Sequence, residues 1–579
     1  MKSPMKTPIA LILAGILALA SCSKDAAVPT PQPSTASAEF NEFVDEYFDS
    51  SFRFSPSRAT SVGIHDYDRE LDDRSREAIE ARITQLHGYL ELLNEIDRSG
   101  LSFDEKIDAE ALETSIRSDL FDSETLRTWE TNPMDYVSMP GGAVGDLIKR
   151  DFAPAAQRLA SVTSRLRQVP FVYEAARRNL RNPPREFTDL AIRMAHGSAG
   201  YLENDVAAWA KAAAADDATL LADFSSANGA AVTATKSFAD WLEQDLLPVS
   251  RGSFAIGAAN FSRKLLYDEM LDRPLAELLA IGEAQLEKDH QDFIETAKQI
   301  DPAKTPAEVM KLLADEHPTA QDLIPSVARS VEAARQYVVD HDLVTIPSEV
   351  RVQVAEAPPY ARRGAFASTS APGTYETKAT ESFYYVAPVD PAWDARRQEQ
   401  HLRYFNKYVT AMINVHEAYP GHYVQRLYQQ KLTSKVRKLV GASTNSEGWA
   451  HYVEQMMLEQ GFGGGDPRYH LAQLQAALTR DCRYVAGIKL HTEGWTVERA
   501  AQDLFVDKCF QEPANGFEEA RRGTYNPTYL YYTLGKIEVQ GLRDEYLQKK
   551  GASLKQFHDA FLSQGRLPIP LVRRLLLEP

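Results

Sequence analysis

The pair His416-Glu417 is followed six residues later by a second histidine, His422, in a largely apolar segment. A zinc hydrolase needs imidazoles as metal ligands and a carboxylate that takes the proton from the attacking water. These three residues therefore predict a metal-dependent hydrolase in which His416 and His422 are ligands and Glu417 is the general base. The alternative is that both histidines are ordinary core or surface residues, because a single His-Glu pair arises easily by chance.

The spacing of the two histidines departs from the usual zinc helix, where the ligands are four residues apart on one face. A separation of six residues places them about 240° apart on a regular helix. Pro420 and Gly421 lie between them. Proline removes an N–H and clashes with the carbonyl four residues back, and glycine can adopt backbone angles that are closed to other residues. We expect a kink or bulge here that returns His422 to the face of His416.

A third ligand is expected from a neighbouring helix. Glu447 comes 25 residues after His422 and follows small polar residues that are typical of a helix start. His451 is one helical turn later, so both side chains can face the same cleft. We predict that Glu447 binds the metal and that His451 orients a carboxylate or contacts the substrate. The exchanged assignment, with His451 on the metal, stays open.

Three segments together resemble a known family: 416–422, 447–452 and 487–496. They are similar to the bacterial family of exported proteins called domain of unknown function 885, which is grouped with the gluzincin-like metallopeptidases. The resemblance covers about residues 40 to 579. It implies a mostly helical fold with a deep cleft, one zinc ion held by His416, His422 and Glu447, and Glu417 as general base. It supports a peptidase class better than any particular substrate.

Other polar residues could complete a peptidase cleft. His491 could hydrogen-bond a substrate carbonyl, and Arg480 or Arg483 could hold a peptide carboxylate, unless these arginines are solvated or paired within the protein. A tyrosine cluster lies at 525–532, and its Tyr-x-x-Gly spacing, similar to that of the family, selects Tyr532. We expect Tyr532 or His491 to stabilise the developing oxyanion. Simple core or rim packing of the tyrosines is the alternative.

The elements that position these residues are mostly helices. Residues 40–343 have helical patterning and form a predicted scaffold region, in which Thr305 to Glu308 is a typical helix start. Residues 344–579 form the predicted catalytic region. It contains two strand candidates, Glu349 to Val354 and Phe383 to Val386. We therefore predict a mainly α fold with a deep cleft and a small sheet, whose edge either binds an extended peptide or is a purely structural hairpin.

The N-terminus predicts export and a lipid anchor. Residues 1–21 have a basic start and a short apolar run, which is too short to span a bilayer. The run ends before Cys22 in a sequence similar to a bacterial lipobox, so Cys22 is the expected lipidation site. Ser23 favours the outer membrane, facing the periplasm; a secretory signal with an incidental cysteine is the alternative. Residues 22–39 are expected to be a flexible tether. Cys482 and Cys509 could pair in such a compartment, which the sequence leaves open.

Composition narrows the functional class further. The 579 residues include 81 Asp and Glu against 64 Lys and Arg, a formal charge of −17. This balance argues against a nucleic-acid partner. The preferred interpretation is zinc-dependent hydrolysis of a peptide substrate in the cell envelope. A non-catalytic peptide-binding lipoprotein and a metal-dependent hydrolase of a non-peptide amide or ester are the two rivals. The oligomeric state does not follow from the sequence.

Overall fold

The protein is described here by a computed structural model, which covers residues 34–357 and 367–578. Most of the chain in these ranges is helical. The helices of the first half are α1 (Thr35–Phe54), α2 (Pro56–Ser61), α3 (Arg76–Glu95), α4 (Phe103–Leu120), α5 (Thr128–Thr131), α6 (Pro133–Ile148), α7 (Ala155–Asn179), α8 (Arg185–Gly200), α9 (Ala207–Ala214), α10 (Ala218–Trp241), α11 (Ala258–Glu269), α12 (Leu275–Ile300), α13 (Pro306–Ala314) and α14 (Leu323–Asp340).

The remaining elements surround the predicted site. The helices are α15 (Ala395–Tyr404), α16 (Lys407–Glu417), α17 (His422–Lys431), α18 (Lys435–Leu439), α19 (Ser443–Glu459), α20 (Pro467–Thr492), α21 (Val497–Ala500), α22 (Pro513–Tyr525), α23 (Tyr531–Lys550), α24 (Leu554–Leu562) and α25 (Ile569–Leu577). Three short strands, β1 (Gln353–Glu356), β2 (Ala367–Ser370) and β3 (Phe383–Val386), form one sheet. The predicted mainly α fold with a small sheet is confirmed.

Local capping signals explain several helix starts. Thr305 accepts a hydrogen bond from the N–H of Glu308, and the Glu308 side chain accepts one from the N–H of Thr305, which begins α13 where the sequence predicts it. At the start of α1, the Ser34 hydroxyl accepts from the N–H of Ser37. The predicted tether at 22–39 is therefore wrong for its last five residues, because the Ser34 cap starts the helix before Phe40. The signal segment, Cys22 and the earlier tether lie outside the described residues.

One large hydrophobic core joins the two predicted regions. It runs from Ala36 in α1 to Leu576 in α25 and includes fully buried residues such as Leu112, Val338 and Trp449. A second core is formed largely by helices α6 to α10. The boundary predicted at 343/344 therefore does not separate independent cores: α12 packs against α20, α14 packs against α16, and α4 packs against α18 and α25.

The sheet differs in detail from the prediction. β3 lies in the middle, parallel to β1 and antiparallel to β2, so β1 and β3 do not form a hairpin. β3 was predicted with its observed bounds, whereas β1 begins at Gln353 instead of Glu349. The residues before it bond to side chains of the α16–α17 segment: the carbonyl of Val350 accepts from the Tyr423 hydroxyl, at 2.7 Å. β2 lies between the two predicted strands, in a segment for which no strand was predicted.

Two further features bear on the setting of the protein. Cys482 in α20 forms a disulfide with Cys509, which ties the middle of α20 to the segment before α22. Within 34–357 and 367–578, none of the helices combines the length and apolar character needed to cross a membrane.

Candidate metal centre

The break between α16 and α17 brings the two histidines together. Helix α16 ends at Glu417 and α17 begins at His422. The N–H of Gly421 donates to the carbonyl of Val415 at 3.0 Å, and a Cβ at position 421 would lie 1.8 Å from the carbonyl oxygen of His416. No side chain fits there, so glycine is required for this turn. The expected break is present, and the rings of His416 and His422 lie 4.7 Å apart between centroids.

A tryptophan from α19 holds the break in place. The indole N–H of Trp449 donates to the carbonyl of Pro420 at 3.0 Å, and the ring, which is fully buried, stacks on Phe561. Because Trp449 follows Glu447 by two residues, this contact fixes α19, and with it Glu447, against the turn. Trp449 in the family-like segment 447–452 thus has a structural role, which is to hold α19 against the turn.

Glu447 completes a triangle with the two histidines. Its Oε2 lies 3.6 Å from Nε2 of His416 and 3.4 Å from Nε2 of His422. These separations are long for hydrogen bonds. They match the edge of a tetrahedron with zinc bonds of about 2.0 to 2.1 Å, which is roughly 3.3 Å. The three donors thus have the chemical type and the spacing of a two-histidine, one-carboxylate zinc site, and the residues fit the ion.

The electrostatics of the three side chains are strongly coupled. Burial alone would lower the pKa of His416, but the contact of its ring with Glu447 and its hydrogen bond to Glu454 raise that pKa to about 9. Burial would raise the pKa of Glu447, yet its contacts with His416 and His422 bring that pKa far below its usual value. The cluster therefore holds an ionised carboxylate directed at two imidazoles.

Glu454 and Arg480 support His416 from behind. The Glu454 Oε1 accepts a hydrogen bond from Nδ1 of His416 at 2.7 Å, and the Arg480 guanidinium lies 3.0 Å from the same oxygen. Glu454 is 1% exposed, and its pKa stays well below the usual value because the charge of Arg480 and the His416 hydrogen bond outweigh its burial. With Nδ1 occupied in this way, Nε2 is the ring nitrogen free for a metal.

Glu417 lies beside the triangle and is held by the sheet. His416, Glu417 and His422 each have one possible ligand atom that lies within 4.8 Å of those of the other two residues. The hydroxyl of Thr369 in β2 donates to Oε2 of Glu417 at 2.9 Å. Of the two carboxylates, Glu447 is the one that contacts the Nε2 atoms of both histidines, which favours it as the third ligand. Glu417 is then a half-buried carboxylate next to the ligands, where a general base is needed.

Tyr532 is brought to the site by a close contact between two helices. Helices α19 and α23 approach at Gly448 and Gly535: a Cβ on Gly448 would lie 2.5 Å from the Cα of Gly535. Tyr532 is one turn before Gly535, and its ring lies 5.5 Å from the Arg480 guanidinium carbon. Burial and the charge of Glu447 raise the pKa of its phenol, so Tyr532 remains a hydrogen-bond donor. The family-like Tyr-x-x-Gly spacing thus reflects helix packing.

His491 does not belong to the site. Its ring is 1% exposed, its Nε2 donates to the carbonyl of Gly523 at 2.8 Å, and its neighbours are the rings of Phe254 and Phe261. It lies eleven residues beyond Arg480 on α20, or about 16 Å along the helix. The predicted catalytic role of His491 is wrong, because the C-terminal end of α20, where His491 lies, packs into the core.

The other two candidates have contacts within the protein. The His451 ring is fully buried, and its Nδ1 lies 3.6 Å from Oε2 of Glu454, so it contacts the carboxylate that orients His416. Arg483 forms two hydrogen bonds with Glu519, at 2.7 and 2.9 Å. Arg480 and Arg483 are thus both paired with carboxylates, and the expectation that one of them is free to hold a peptide carboxylate is not met.

Several site residues were missed by the sequence reasoning. Glu454 could have been found, because it lies seven residues after Glu447 and three after His451, on the same face of α19. Arg426 could also have been found, since it is one turn after His422. Thr369 and Arg566 carry no local signal, because they reach the site only through the sheet and the C-terminal segment.

Comparison with protein families settles the relationship of the chain. Residues 56–576 match the family model described as "Bacterial protein of unknown function (DUF885)". The chain belongs to the DUF885 family. None of the curated proteins is a match to this DUF885 protein.

Two solved structures are similar to this DUF885 chain. One is described as "a putative lipoprotein of unknown function from Shewanella oneidensis": it is 27% identical, with a TM-score of 0.78 and coverage of 93% of this chain and 100% of that one. The other is "the putative lipoprotein from Colwellia psychrerythraea", 18% identical, with a TM-score of 0.80 and coverage of 94% and 99%. The second likeness concerns the fold alone.

Proposed function

We propose that this DUF885 protein is a zinc-dependent peptidase. One observation carries the proposal: Glu447 lies 3.4 and 3.6 Å from the Nε2 atoms of His422 and His416, with Glu417 beside them. Two imidazoles and one carboxylate holding a zinc ion would leave a coordination position for water, as in catalytic rather than structural zinc sites. A pure binding module would have no need of the additional carboxylate.

The chemistry follows from the positions of the side chains. A zinc ion held by His416, His422 and Glu447 would act as a Lewis acid towards water and the scissile carbonyl. Glu417, kept in place by Thr369, takes the proton from the attacking water and delivers it to the leaving amine. The protonated phenol of Tyr532 donates a hydrogen bond to the oxyanion that develops on the carbonyl. Glu454 holds His416 in the tautomer that presents Nε2.

We also propose that the protein is a lipoprotein of the cell envelope, anchored through Cys22 in the outer membrane and facing the periplasm. Three observations support this: the lipobox-like sequence before Cys22, the lipoprotein descriptions of the two similar structures, and the Cys482–Cys509 disulfide. Disulfides persist in oxidising compartments such as the bacterial periplasm. Labelling with a radioactive fatty acid, lost in Cys22→Ala, tests the anchor.

The first test is metal content by elemental analysis. We expect about one zinc per purified chain, and less than a tenth of that in a His416→Ala, His422→Ala double variant, because two of three ligands are gone. A His87→Ala, His196→Ala variant, which changes two histidines away from the site, is the control. A folded wild-type protein that takes up no zinc after addition of the ion would contradict the metal centre.

The second test concerns the base. Glu417→Gln keeps the shape and the Thr369 contact but cannot accept a proton, so zinc content should be unchanged. Turnover of any peptide that the wild type cleaves should fall by at least about a hundredfold. Peptide mixtures analysed by mass spectrometry before and after incubation give the readout. Undiminished cleavage by Glu417→Gln would contradict the role of Glu417 as general base. Cleavage of esters but not of peptides by the wild type would favour the non-peptide hydrolase.

A further inference from the structure

A positively charged cavity adjoins the candidate metal centre on the side of Glu417. It has a volume of about 580 Å³ and is lined in part by Thr369, the residue whose hydroxyl holds Glu417. Five cationic side chains line it, and its described lining residues include no Asp or Glu: Arg58, Lys149, Arg426, Lys438 and Arg566. In a chain with a formal charge of −17, this is a local reversal of sign. Such a cavity attracts an anion.

Three of the five cations have a partner among the described residues, and Lys438 is one of them, since its Nζ lies over the ring of Tyr375. Arg58 donates to the carbonyl of Leu439, and Lys149 pairs with Asp146. Among the described residues, no hydrogen bond or salt bridge engages the guanidinium groups of Arg426 and Arg566, and Nε of Arg566 is buried without a partner. Arg566 is half-buried, with its Nε inaccessible to water, and Arg426 is exposed, so both guanidinium groups are available to a negatively charged ligand.

The electrostatic surroundings agree with this interpretation. Arg426 lies within electrostatic range of Glu417 and Glu447. Burial and the charge of Arg426 lower the pKa of Arg566 to about 10, opposed by Glu447. The two arginines therefore repel each other across the cavity and lie within electrostatic range of the site carboxylates. A carboxylate between them would remove that repulsion.

Both arginines are attached close to the metal ligands. Arg426 is one turn after His422 on the same face of α17, so their Cβ atoms are about 6 Å apart. The carbonyl of Arg566 accepts from the N–H of Ala442, directly before α19, one turn before Glu447. An extended peptide advances about 3.3 to 3.6 Å per residue. An anion bound here thus lies within roughly one to three residues of a bond held at the metal centre.

We propose that Arg426 and Arg566 bind a carboxylate of the peptide substrate, located one to three residues from the scissile bond. This inference rests on the proposed peptidase function. Planar guanidinium groups suit a carboxylate through paired hydrogen bonds. The carboxylate is either the C-terminus of the peptide, which makes the protein an exopeptidase, or an Asp or Glu side chain. Both sources share the same chemistry and are separable by experiment.

The experiment compares three mixtures of N-acetylated hexapeptides with the zinc-loaded protein. The first mixture has free C-terminal acids and no Asp or Glu, the second has C-terminal amides and no Asp or Glu, and the third has amides with one Asp or Glu. We expect cleavage of the first or the third at least about tenfold faster than of the second, and the faster one identifies the source of the carboxylate. Equal cleavage of all three would overturn the inference while leaving the peptidase function in place.

Variants link the preference to the two arginines. Arg426→Gln and Arg566→Gln should raise KM for the preferred mixture by roughly tenfold to a hundredfold, the value of a charge-assisted hydrogen bond, with little change for the neutral amides. Arg426→Lys should have a KM between those of the wild type and Arg426→Gln. This variant also tests the role of Arg426 if Arg426→Gln fails to fold. Arg185→Gln, an exposed arginine on α8, is the matched control. A preference that survives both Gln substitutions would overturn the inference.

A direct binding measurement covers the case in which no peptide is cleaved. That result would contradict the proposed function. Calorimetry with N-acetyl-trialanine and its amide would then test whether the cavity binds a carboxylate. Binding of the acid at least about tenfold tighter than the amide, lost in Arg566→Gln, would support the carboxylate site alone. Equal binding, or none, would overturn it as well.

Discussion

At the scale of single residues, Glu454 sets the tautomer and the ring orientation of His416. It is a fully buried carboxylate that accepts from Nδ1 of His416, is neutralised by Arg480 and contacts His451. Burying a carboxylate is tolerated only when such partners are present. The arrangement fixes the ring orientation of His416 and, in the proposed zinc site, would strengthen its Nε2 as a ligand.

We predict that Glu454→Gln weakens zinc binding by roughly tenfold to a hundredfold without unfolding the protein, because the amide oxygen can still accept from His416 but carries no charge. Competition with a chelator of known affinity measures the effect. Glu459→Gln, which changes an exposed glutamate at the end of the same helix, should leave the affinity unchanged. Wild-type affinity in Glu454→Gln would show that the charge does not tune the ligand.

At the scale of elements, two close contacts involving glycine shape the site. Gly421 lets the turn after α16 fold back on the His416 carbonyl, and Gly448 lets α19 pack on Gly535 of α23. The first contact sets the angle between the histidines. The second brings Tyr532 towards Glu447. Neither position tolerates a Cβ, because the nearest backbone atoms would lie at 1.8 and 2.5 Å.

We predict that Gly421→Ala loses most of its zinc, with retention at least about tenfold below wild type, because the added Cβ forces the turn away from His416 and separates the ligands. Metal analysis and thermal unfolding measure this. Gly88→Ala is the matched control: this glycine lies in α3 with nothing within 4 Å of an added Cβ, so alanine there should be neutral or slightly stabilising. Full zinc content in Gly421→Ala would contradict the proposed geometry.

At the scale of the whole molecule, the buried neutral histidine His558 connects distant segments. His558 in α24 is fully buried, its Nδ1 donates to the carbonyl of Leu343 at 2.6 Å, and its Nε2 accepts from the Tyr452 hydroxyl at 2.9 Å. It thus joins the C-terminal helices to the end of the scaffold region and to α19. Burial lowers the pKa of His558 to about 4.

This shift predicts loss of stability in acid. Below the unfolded pKa of about 6.5 the unfolded chain takes up a proton at His558 that the folded protein does not, so stability falls as pH drops from about 6.5 to 4. Between pH 7 and 5 the loss from this residue is about 2 kcal/mol. Urea unfolding of wild type, His558→Asn and the exposed control His87→Asn measures it. The decrease should be smaller in His558→Asn alone; equal decreases in all three would contradict the assignment.

The sequence by itself determined the local features of this protein. The cap at Thr305, the β3 strand and the Pro-Gly break follow from residue type and short spacing, because they depend on contacts within a few residues. The small sheet and the mainly helical class follow from periodicity for the same reason. The set His416, Glu417, His422 and Glu447 follows from the donor chemistry of a metal and stays a prediction.

Only the tertiary structure decided which distant residues meet. It placed Thr369 on Glu417, brought Arg566 to a cavity beside Arg426, buried His491 in the core and paired Arg483 with Glu519. None of these contacts has a local signal, because each depends on how helices and strands from separate parts of the chain pack together. Helix periodicity gives the face on which a side chain lies, and only packing gives the neighbour that this face meets.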